Sequence, residues 1–185
     1  ERGHQVVLFE QGDRLGGQVN LIVKTPKRDN FGEITLFMQR QLAKLAVEVR
    51  LRSDANAELV LAEQADAVIV ATGSAAFRPE LLGNDRPNAI TAREVLEGNA
   101  LIGDRVVVVD TLGRAEGPSV AEYLADLGKQ VEIVCGLNYI GAEMPPITWH
   151  HQMEQLMKKG VTLTPFTGAW EIEQNSLDVY NVITW

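Results

Sequence analysis

The chain has 185 residues, and its 17 Lys and Arg against 25 Asp and Glu give a formal net charge of −8. At about 150 residues per domain this length fits one domain or two small ones. The apolar fraction of 45% excludes a disordered chain, and the acidic balance argues against nucleic acid as the main partner. No apolar run approaches the roughly 20 residues of a membrane span, and a single cysteine excludes a disulfide framework or a four-cysteine iron–sulfur site.

The first half of the chain predicts short strands around one long helix. Residues 5–9 predict a strand that precedes an acid, and residues 11–32 are rich in glycine and predict a loop. Residues 33–46 place apolar side chains at helical spacing. A second strand is expected at 47–51, and the uninterrupted apolar run 66–72 is typical of a strand covered on both faces.

A connector punctuated by proline and glycine, with a short helix at 91–97, leads to the second half. Further strands are predicted at 105–109, 131–135, 161–165, 168–173 and 177–184. Further helices are predicted at 118–127 and 148–159. Buried strands that alternate with helices predict an α/β fold with parallel sheets.

Glu10 is the first candidate binding residue. It follows the strand 5–9, where the acid of a dinucleotide-binding βαβ unit binds the ribose about 20 residues after a glycine-rich turn. That spacing puts the glycine-rich turn before residue 1, so we expect the phosphate cradle to lie outside this chain. The alternative is that Glu10 is only a solvated carboxylate at a strand end.

Two short segments add to the interpretation of Glu10. Segment 14–18 (RLGGQ) contains paired glycines, which let a backbone approach a ligand, and an arginine, which can face phosphate. Its alternative is an ordinary flexible turn. Segment 70–73 (VATG) puts small residues at the carboxyl end of a strand, where open α/β sheets bind ligands.

The order of LFE, RLGGQ and VIVATG resembles that in the trimethylamine dehydrogenase and 2,4-dienoyl-CoA reductase family of NADH:flavin oxidoreductases. The resemblance extends through GDRVVVVD and GPSVAEYLADLG to LMKKGVTLTP. It implies Rossmann-like parallel sheets of the glutathione-reductase-like type with two dinucleotide-binding domains, truncated at both ends. Residues 1–98 would be a partial FAD- or ADP-binding domain that lacks its first strand and glycine-rich loop. Residues 103–185 would be a partial NAD(P)-binding-like domain with a degenerate glycine loop.

The same resemblance implies a set of cofactor-binding residues. Glu10 would bind the adenosine ribose, and Ala55 would neighbour the adenine. The residues expected along the nucleotide cleft are Arg14, Gly16, Gly17, Gln18, Ala71, Thr72 and Gly73. No catalytic residue and no metal ligand are expected in this chain.

The loop after the strand 105–109 departs from a working nicotinamide-nucleotide site. A working loop reads Gly-x-Gly-x-x-Gly, whereas Asp110 and Leu112 stand where the first two glycines belong. A Cβ at those positions obstructs the turn, and Asp110 and Glu116 place negative charge where a helix N-terminus would receive a phosphate. NAD(P)H binding is therefore disfavoured.

The segment 118–122 (PSVAE) that follows this loop is similar to the amine-dehydrogenase branch of the family. That branch implies a flavin-binding barrel in the same polypeptide, which oxidises amines as a dehydrogenase or N-demethylase. FMN and a 4Fe-4S cluster would lie in the barrel, and an electron-transfer flavoprotein would accept the electrons. This chain would hold FAD or ADP and support electron transfer, inactive by itself, in a cytoplasmic protein without nucleic-acid or membrane partners.

Two other functions are left open. One is an NAD(P)H-dependent enoate or dienoyl-CoA-type reductase in which this region binds FAD and NAD(P)H. The other is a non-catalytic docking domain with a vestigial nucleotide site.

Two further groups are interpreted as structural. His150 and Glu154 lie four residues apart on a predicted helix and could share a metal, but they lack a third ligand at a recognisable spacing. A solvated helix face is therefore favoured. Cys135 ends a buried strand, so a core thiol is favoured over a reactive one.

Overall fold

The computed structural model describes residues 2–185, which divide into two units. Unit 1 contains the described residues up to Val23 together with Lys27–Ala75. Unit 2 contains Lys24–Pro26 and Ala76–Trp185. In the described part of the chain, no helix has both the length and the apolar character that crossing a bilayer requires.

Unit 1 is built on two parallel strands, β1 (Val7–Phe9) and β2 (Glu48–Arg50). Their register places Leu8 opposite Val49. The helical segments of the unit are α1 (Val19–Ile22), a 3₁₀ turn (Asp29–Phe31), α2 (Gly32–Lys44) and α3 (Ala57–Ala62). The long helix α2 connects the two strands, which confirms the predicted strand–helix–strand order at this point.

Residues at both ends of α2 explain where this helix begins and ends. Glu33 lies in its first turn and Lys44 in its last, so both charges complement the helix dipole. The helix ends at Leu45, because Ala46 takes the left-handed conformation with a φ of 52°. The sequence pattern predicted a helix at 33–46, within two residues of the observed limits.

Two predictions for unit 1 are wrong. The predicted loop 11–32 contains α1 and the 3₁₀ turn. The predicted buried strand 66–72 is not a strand, and Ile69 and Val70 are 90% and 79% exposed. An apolar run becomes a strand only where a neighbour supplies ladder hydrogen bonds. Within residues 2–185, β1 and β2 pair only with each other, so this run has no neighbouring strand.

Unit 2 contains a three-stranded parallel sheet in the order β3, β4, β5. Its strands are β3 (Arg105–Val109), β4 (Gln130–Val134) and β5 (Thr162–Thr164). Helix α5 (Glu116–Asp126) connects β3 to β4, and α6 (Pro146–Lys158) connects β4 to β5. This order confirms the predicted α/β fold with parallel sheets.

Helix α4 (Ala92–Glu97) precedes this sheet. Thr91 and Glu94 form a reciprocal capping box at its start, and Gly98 ends it with a φ of 84°. The segment around α4, which the sequence analysis assigned to the first domain, lies in unit 2. One reason is that Leu82 makes a parallel bridge with Glu171.

The last two strands form an antiparallel hairpin, β6 (Thr167–Ile172) and β7 (Leu177–Asn181). The sequence predicted both strands in a parallel fold. The few residues between them allow only an antiparallel pair, because a parallel pair needs a long crossover. Strand β7 ends earlier than predicted, since Asn181 Oδ1 accepts hydrogen bonds from the N–H groups of Ile183 and Thr184.

The core of unit 2 lies between its two long helices and the sheet. Leu124 of α5, Ile133 of β4 and Leu156 of α6 are all at most 1% exposed. Burial of apolar side chains of this size contributes about 1.5–3 kcal/mol each to folding. The buried apolar core of the described residues therefore lies in unit 2.

A charged cluster crosses the contact between α5 and α6. Glu122 is 3% exposed. Its carboxylate accepts hydrogen bonds from Gln152 Nε2 at 2.7 Å and from Lys159 Nζ at 2.8 Å. Lys159 also pairs with Asp126 at 2.6 Å. A carboxylate can be buried here because both of its oxygens have donors.

Candidate functional site

Glu10 directly follows β1 and is half-buried. Its Oε1 accepts a hydrogen bond from Gly12 N at 2.7 Å. Its own N–H donates to Arg50 O at 3.0 Å, and its carbonyl accepts from Ser53 N at 3.0 Å. The carboxylate is therefore held at the carboxyl end of a parallel strand pair, beside the turn that follows β2.

The turn after Glu10 is tight and is tied to the end of β2. A Cβ at Gly12 would lie 3.1 Å from Glu10 Oε1, so a side chain there would crowd the carboxylate. Gly12 O accepts a hydrogen bond from Arg52 N at 2.8 Å. Arg52 has a φ of 54°, a left-handed conformation that is costly for a residue with a Cβ. These contacts fix the position of the turn relative to the strand ends.

Arg50 is a cation next to this turn, but its side chain is already paired. Its guanidinium donates to Glu63 at 2.6 Å and to Glu48 at 2.7 Å, and it lies 5.1 Å from the centroid of the Phe9 ring. The hydrogen bonds that Arg50 donates to Glu63 and Glu48 raise the pKa of Arg50 above its ordinary value. Arg50 therefore stabilises the sheet end instead of offering its charge to a ligand. Arg14, the predicted phosphate-facing residue, is exposed.

The two glycines of the RLGGQ segment, Gly16 and Gly17, have different surroundings. A Cβ at Gly16 would lie 2.9 Å from the side chain of Asn20 and 3.0 Å from that of Thr35, and its φ is 121°. Gly17 has a φ of 47° and open space where a Cβ would stand. Glycine is thus required at 16 by packing, whereas the backbone at 17 can be approached from outside.

A side-chain hydrogen bond connects the glycine pair to the segment after residues 66–72. Gln18 Nε2 donates to Ser74 Oγ at 2.8 Å. Gly73, next to Ser74, has a φ of 74° and open space around its Cα. Gly17 precedes Gln18 and Gly73 precedes Ser74, so the hydrogen bond between these two side chains lies next to two open glycine backbones. Ser74 was not predicted, because a hydroxyl that follows a VATG segment is not a specific signal of a binding residue.

The other predicted residues are exposed. Ala71 and Thr72 are exposed in the extended segment before Gly73. Ala55 is exposed and precedes Asn56, which caps α3 by accepting a hydrogen bond from Leu59 N at 2.9 Å. Two of the predicted residues, Glu10 and Gln18, thus have recorded side-chain hydrogen bonds, each inside its own group of contacts in unit 1. One group is around Glu10 and the other is around Gln18.

The loop after β3 is closed around a buried carboxyl. Asp110 is 6% exposed, and its Oδ1 accepts hydrogen bonds from Leu112 N at 3.1 Å and Gly113 N at 2.9 Å. Its Oδ2 is buried and has no hydrogen-bond partner among the described residues. Burial raises the pKa of Asp110, the bonds from Gly113 and Leu112 lower it, and the charge of Glu116 raises it, with a net increase. The sequence predicted that this loop departs from the glycine pattern, but not that Asp110 accepts hydrogen bonds from the loop's own backbone.

The remaining two candidates are the pair His150 and Glu154 on α6, and Cys135 after β4. Glu154 accepts a hydrogen bond from Lys158 at 2.7 Å, and His151 Nδ1 lies 3.9 Å from it, all on an exposed face of α6. Residues 2–185 hold no group of three or more His, Cys, Asp or Glu arranged to bind a metal. Cys135 is 1% exposed, and burial raises the pKa of its thiol, which confirms the predicted core position.

Residues 90–184 match the family described as "OYE-like second alpha/beta domain". The match extends over just over half of the 185 residues. The chain belongs to this family. The predicted membership in the NADH:flavin oxidoreductases is thereby confirmed at the level of the family.

Individual relatives cover most of this chain. The N,N-dimethylglycine/sarcosine dehydrogenase of Chromohalobacter salexigens is 34% identical over 170 residues, which are 89% of this chain and 24% of that protein. The bilirubin reductase of Mediterraneibacter gnavus is 34% identical over 180 residues, which are 97% of this chain and 28% of that protein. Among solved structures, 2-naphthoyl-CoA reductase with 2-naphthoyl-CoA has a TM-score of 0.92 at 27% identity, covering 97% of this chain and 27% of that one.

This chain spans about a quarter of the length of these relatives. The relatives are flavin-dependent oxidoreductases, and they include both a dehydrogenase of methylated amines and reductases. The chain thus belongs to an oxidoreductase family.

Proposed function

We propose that this chain is the nucleotide-holding region of a flavin-dependent oxidoreductase, in which unit 1 binds an adenine nucleotide, FAD or ADP. The observation that carries the proposal is the Glu10 carboxylate. It is fixed at the carboxyl end of β1 by Gly12 N at 2.7 Å, beside a second parallel strand. That is where a ribose-binding acid stands in dinucleotide-binding folds.

The residues present fit an adenine nucleotide. A carboxylate offers about four lone-pair sites, so the bond from Gly12 leaves Glu10 able to accept hydrogen bonds from ribose hydroxyls. Gly17 and Gly73 leave their backbones open to a close approach, and Arg14 is exposed on the same loop as Gly17. Bound FAD would supply a redox-active flavin, whereas ADP would supply none. In both cases this chain's residues bind and orient the adenosine half.

We place the region in an enzyme that oxidises amines, as a dehydrogenase or N-demethylase. The dimethylglycine/sarcosine dehydrogenase supports this, as does the closed loop around Asp110, which disfavours an NAD(P)H site. A flavin-binding barrel in the same polypeptide would carry FMN and a 4Fe-4S cluster. An electron-transfer flavoprotein would be the acceptor, and the chain by itself would have no activity.

The second candidate is a reductase in which this region binds FAD and accepts hydride from NAD(P)H. The likeness to bilirubin reductase and to 2-naphthoyl-CoA reductase favours it. The two candidates differ in which nucleotides the protein carries. A third outcome, a docking region with a vestigial site, differs from both because it carries no adenine nucleotide.

The test is chromatography of the nucleotides released when the intact protein is denatured. ADP together with FMN supports the amine-oxidising enzyme, and FAD together with FMN favours the reductase. Absence of any adenine nucleotide overturns the proposal for unit 1 and leaves the docking region.

The variant Glu10→Ala tests the site itself. The loss of a hydrogen bond to a charged group costs about 1.5–3 kcal/mol, so retention of the adenine nucleotide should fall about tenfold or more. Glu33→Ala is the matched control, because it removes an exposed glutamate from the first turn of α2 in the same unit. Equal retention by the two variants would contradict the assignment of Glu10.

A further inference from the structure

The Asp110 carboxyl lies against the first turn of α5. A Cβ built on Gly117 would stand 3.0 Å from Asp110 Cβ and Cγ and 3.2 Å from its Oδ2. Gly117 is the second residue of the helix, so the carboxyl occupies the space beside the helix N-terminus. In nucleotide-binding βαβ units that space belongs to a phosphate group.

The same carboxyl holds the loop in its closed form. Oδ1 accepts hydrogen bonds from the N–H groups of Leu112 and Gly113, two of the backbone donors that a phosphate loop would turn toward its ligand. Oδ2 is buried without a partner among residues 2–185. An unpartnered buried carboxyl oxygen is costly, so the position of this side chain is imposed by the surrounding packing.

The segment 137–143, which follows β4, contacts the closed loop at Gly113. Gly113 is buried, and its carbonyl accepts a hydrogen bond from Glu143 N at 2.8 Å. A Cβ on Gly113 would lie 2.4 Å from Leu137 Cδ1, so Leu137 leaves no room for a side chain at this point of the loop. A phosphate entering here would meet the acids Glu116 and Glu143 as well as Asp110.

We infer that Asp110 is a specificity-determining residue that closes unit 2 from within. Its carboxyl takes the place of a nucleotide phosphate at the N-terminus of α5 and binds the N–H groups that a phosphate would use. Unit 2 therefore rejects NAD(P)H. Nucleotide binding in unit 1 and the closed loop of unit 2 rest on different residues, so the two can be tested separately. If Asp110 did not close the loop, the amine-oxidising enzyme would lose one of its supports, but the unit 1 proposal would not.

The test is hydrogen–deuterium exchange of the intact protein, read by mass spectrometry on peptides that cover residues 110–119. Exchange is measured without NADPH and with about 1 mM NADPH, the upper end of the usual range of enzyme affinities for substrates. We expect NADPH to leave the exchange of this segment unchanged. Slower exchange with NADPH would overturn the inference, because it would mean that the loop receives the nucleotide.

Variants of Asp110 test whether its carboxyl holds the loop. Asp110→Ala should speed exchange in 111–117 by about tenfold or more, the factor that corresponds to one lost hydrogen bond to a carboxyl. Asp110→Asn keeps an acceptor oxygen and should keep the protection. Asp104→Asn is the control, since it removes an equal charge from a fully exposed position just before β3.

Unchanged exchange in Asp110→Ala, or equal loss of protection in Asp110→Asn, would overturn the role of the carboxyl as acceptor. If Asp110→Ala does not fold, Asp110→Asn and the NADPH measurement on the unmodified protein still decide the inference.

Discussion

Replacing Lys159 with methionine should destabilise unit 2 by about 2–3 kcal/mol, because it leaves a buried carboxylate short of a donor. Lys159 follows α6, and its ammonium donates to Glu122 at 2.8 Å and pairs with Asp126 at 2.6 Å. Burial lowers the pKa of Lys159, but the bonds to Asp126 and Glu122 outweigh it and raise the pKa. Methionine keeps a long flexible side chain and a good helix propensity, so the change removes mainly the charge.

The magnitude follows from the exposure of the two partners. The side chain of Glu122 is 4% exposed, and a hydrogen bond to such a charged group contributes about 1.5–3 kcal/mol. The side chain of Asp126 is 46% exposed, and an exposed pair adds at most about 1 kcal/mol. After the substitution, Gln152 would be the remaining side-chain donor to Glu122 recorded in the structure.

The neighbouring residue supplies a matched control. Lys158 pairs with Glu154 at 2.7 Å on the exposed face of α6, with both side chains about half exposed or more. Lys158→Met removes the same charge from the same helix end, and the expected loss is only about 0.3–0.5 kcal/mol. The comparison therefore isolates burial of the partner as the cause.

The assay is urea unfolding followed by tryptophan fluorescence. All three tryptophans, Trp149, Trp170 and Trp185, lie in unit 2, so the signal reports this unit alone. A Lys159→Met variant within about 0.5 kcal/mol of Lys158→Met would refute the reasoning, because Glu122 would then not need its second donor.

Two further predictions concern unit 2. Asp110→Asn should gain stability relative to the unmodified protein as the pH rises from about 4 toward 7, which pH-dependent unfolding in urea can measure. The sign follows because the folded state has the higher Asp110 pKa, so it keeps a proton that the unfolded chain loses above about pH 3.9; a constant difference would contradict it. Gly83→Ala should cost about 3–5 kcal/mol in thermal or urea unfolding, because its Cβ would lie 2.2 Å from Ile172 O and its φ is 75°. Gly160→Ala has a similar φ of 73° with open space, so its expected cost is only about 1–2 kcal/mol, and equal costs would show that the contact with Ile172 is unimportant.

Local sequence patterns predicted two of the helices in unit 2 but missed one in unit 1. Helices α5 and α6 were predicted to within about two residues at each end. The signals are local, and for α5 they include Pro118 in the first turn. Helix α3 was missed, although Asn56 caps it and a run of good helix formers follows.

The sequence names candidate residues for the site, but it does not give the contacts among them. Strand-end position and glycine content pointed to Glu10 and to Gly16–Gly17. The bond between Gln18 and Ser74 joins residues 56 apart, and no spacing rule predicts it. The same holds for Asp110, whose departure from glycine was visible in the sequence while its burial against Gly117 was not.

The sequence by itself determined the α/β class, the family resemblance and the residues that terminate strands and helices, because these depend on local propensity and on apolar period. Tertiary structure alone decided which apolar runs become strands. Residues 66–72 have the composition of a buried strand but no neighbouring strand in the described part of the chain, and β6 and β7 pair antiparallel because their connection is short. Strand pairing and carboxyl burial depend on partners distant in sequence, and that is why only the folded chain fixes them.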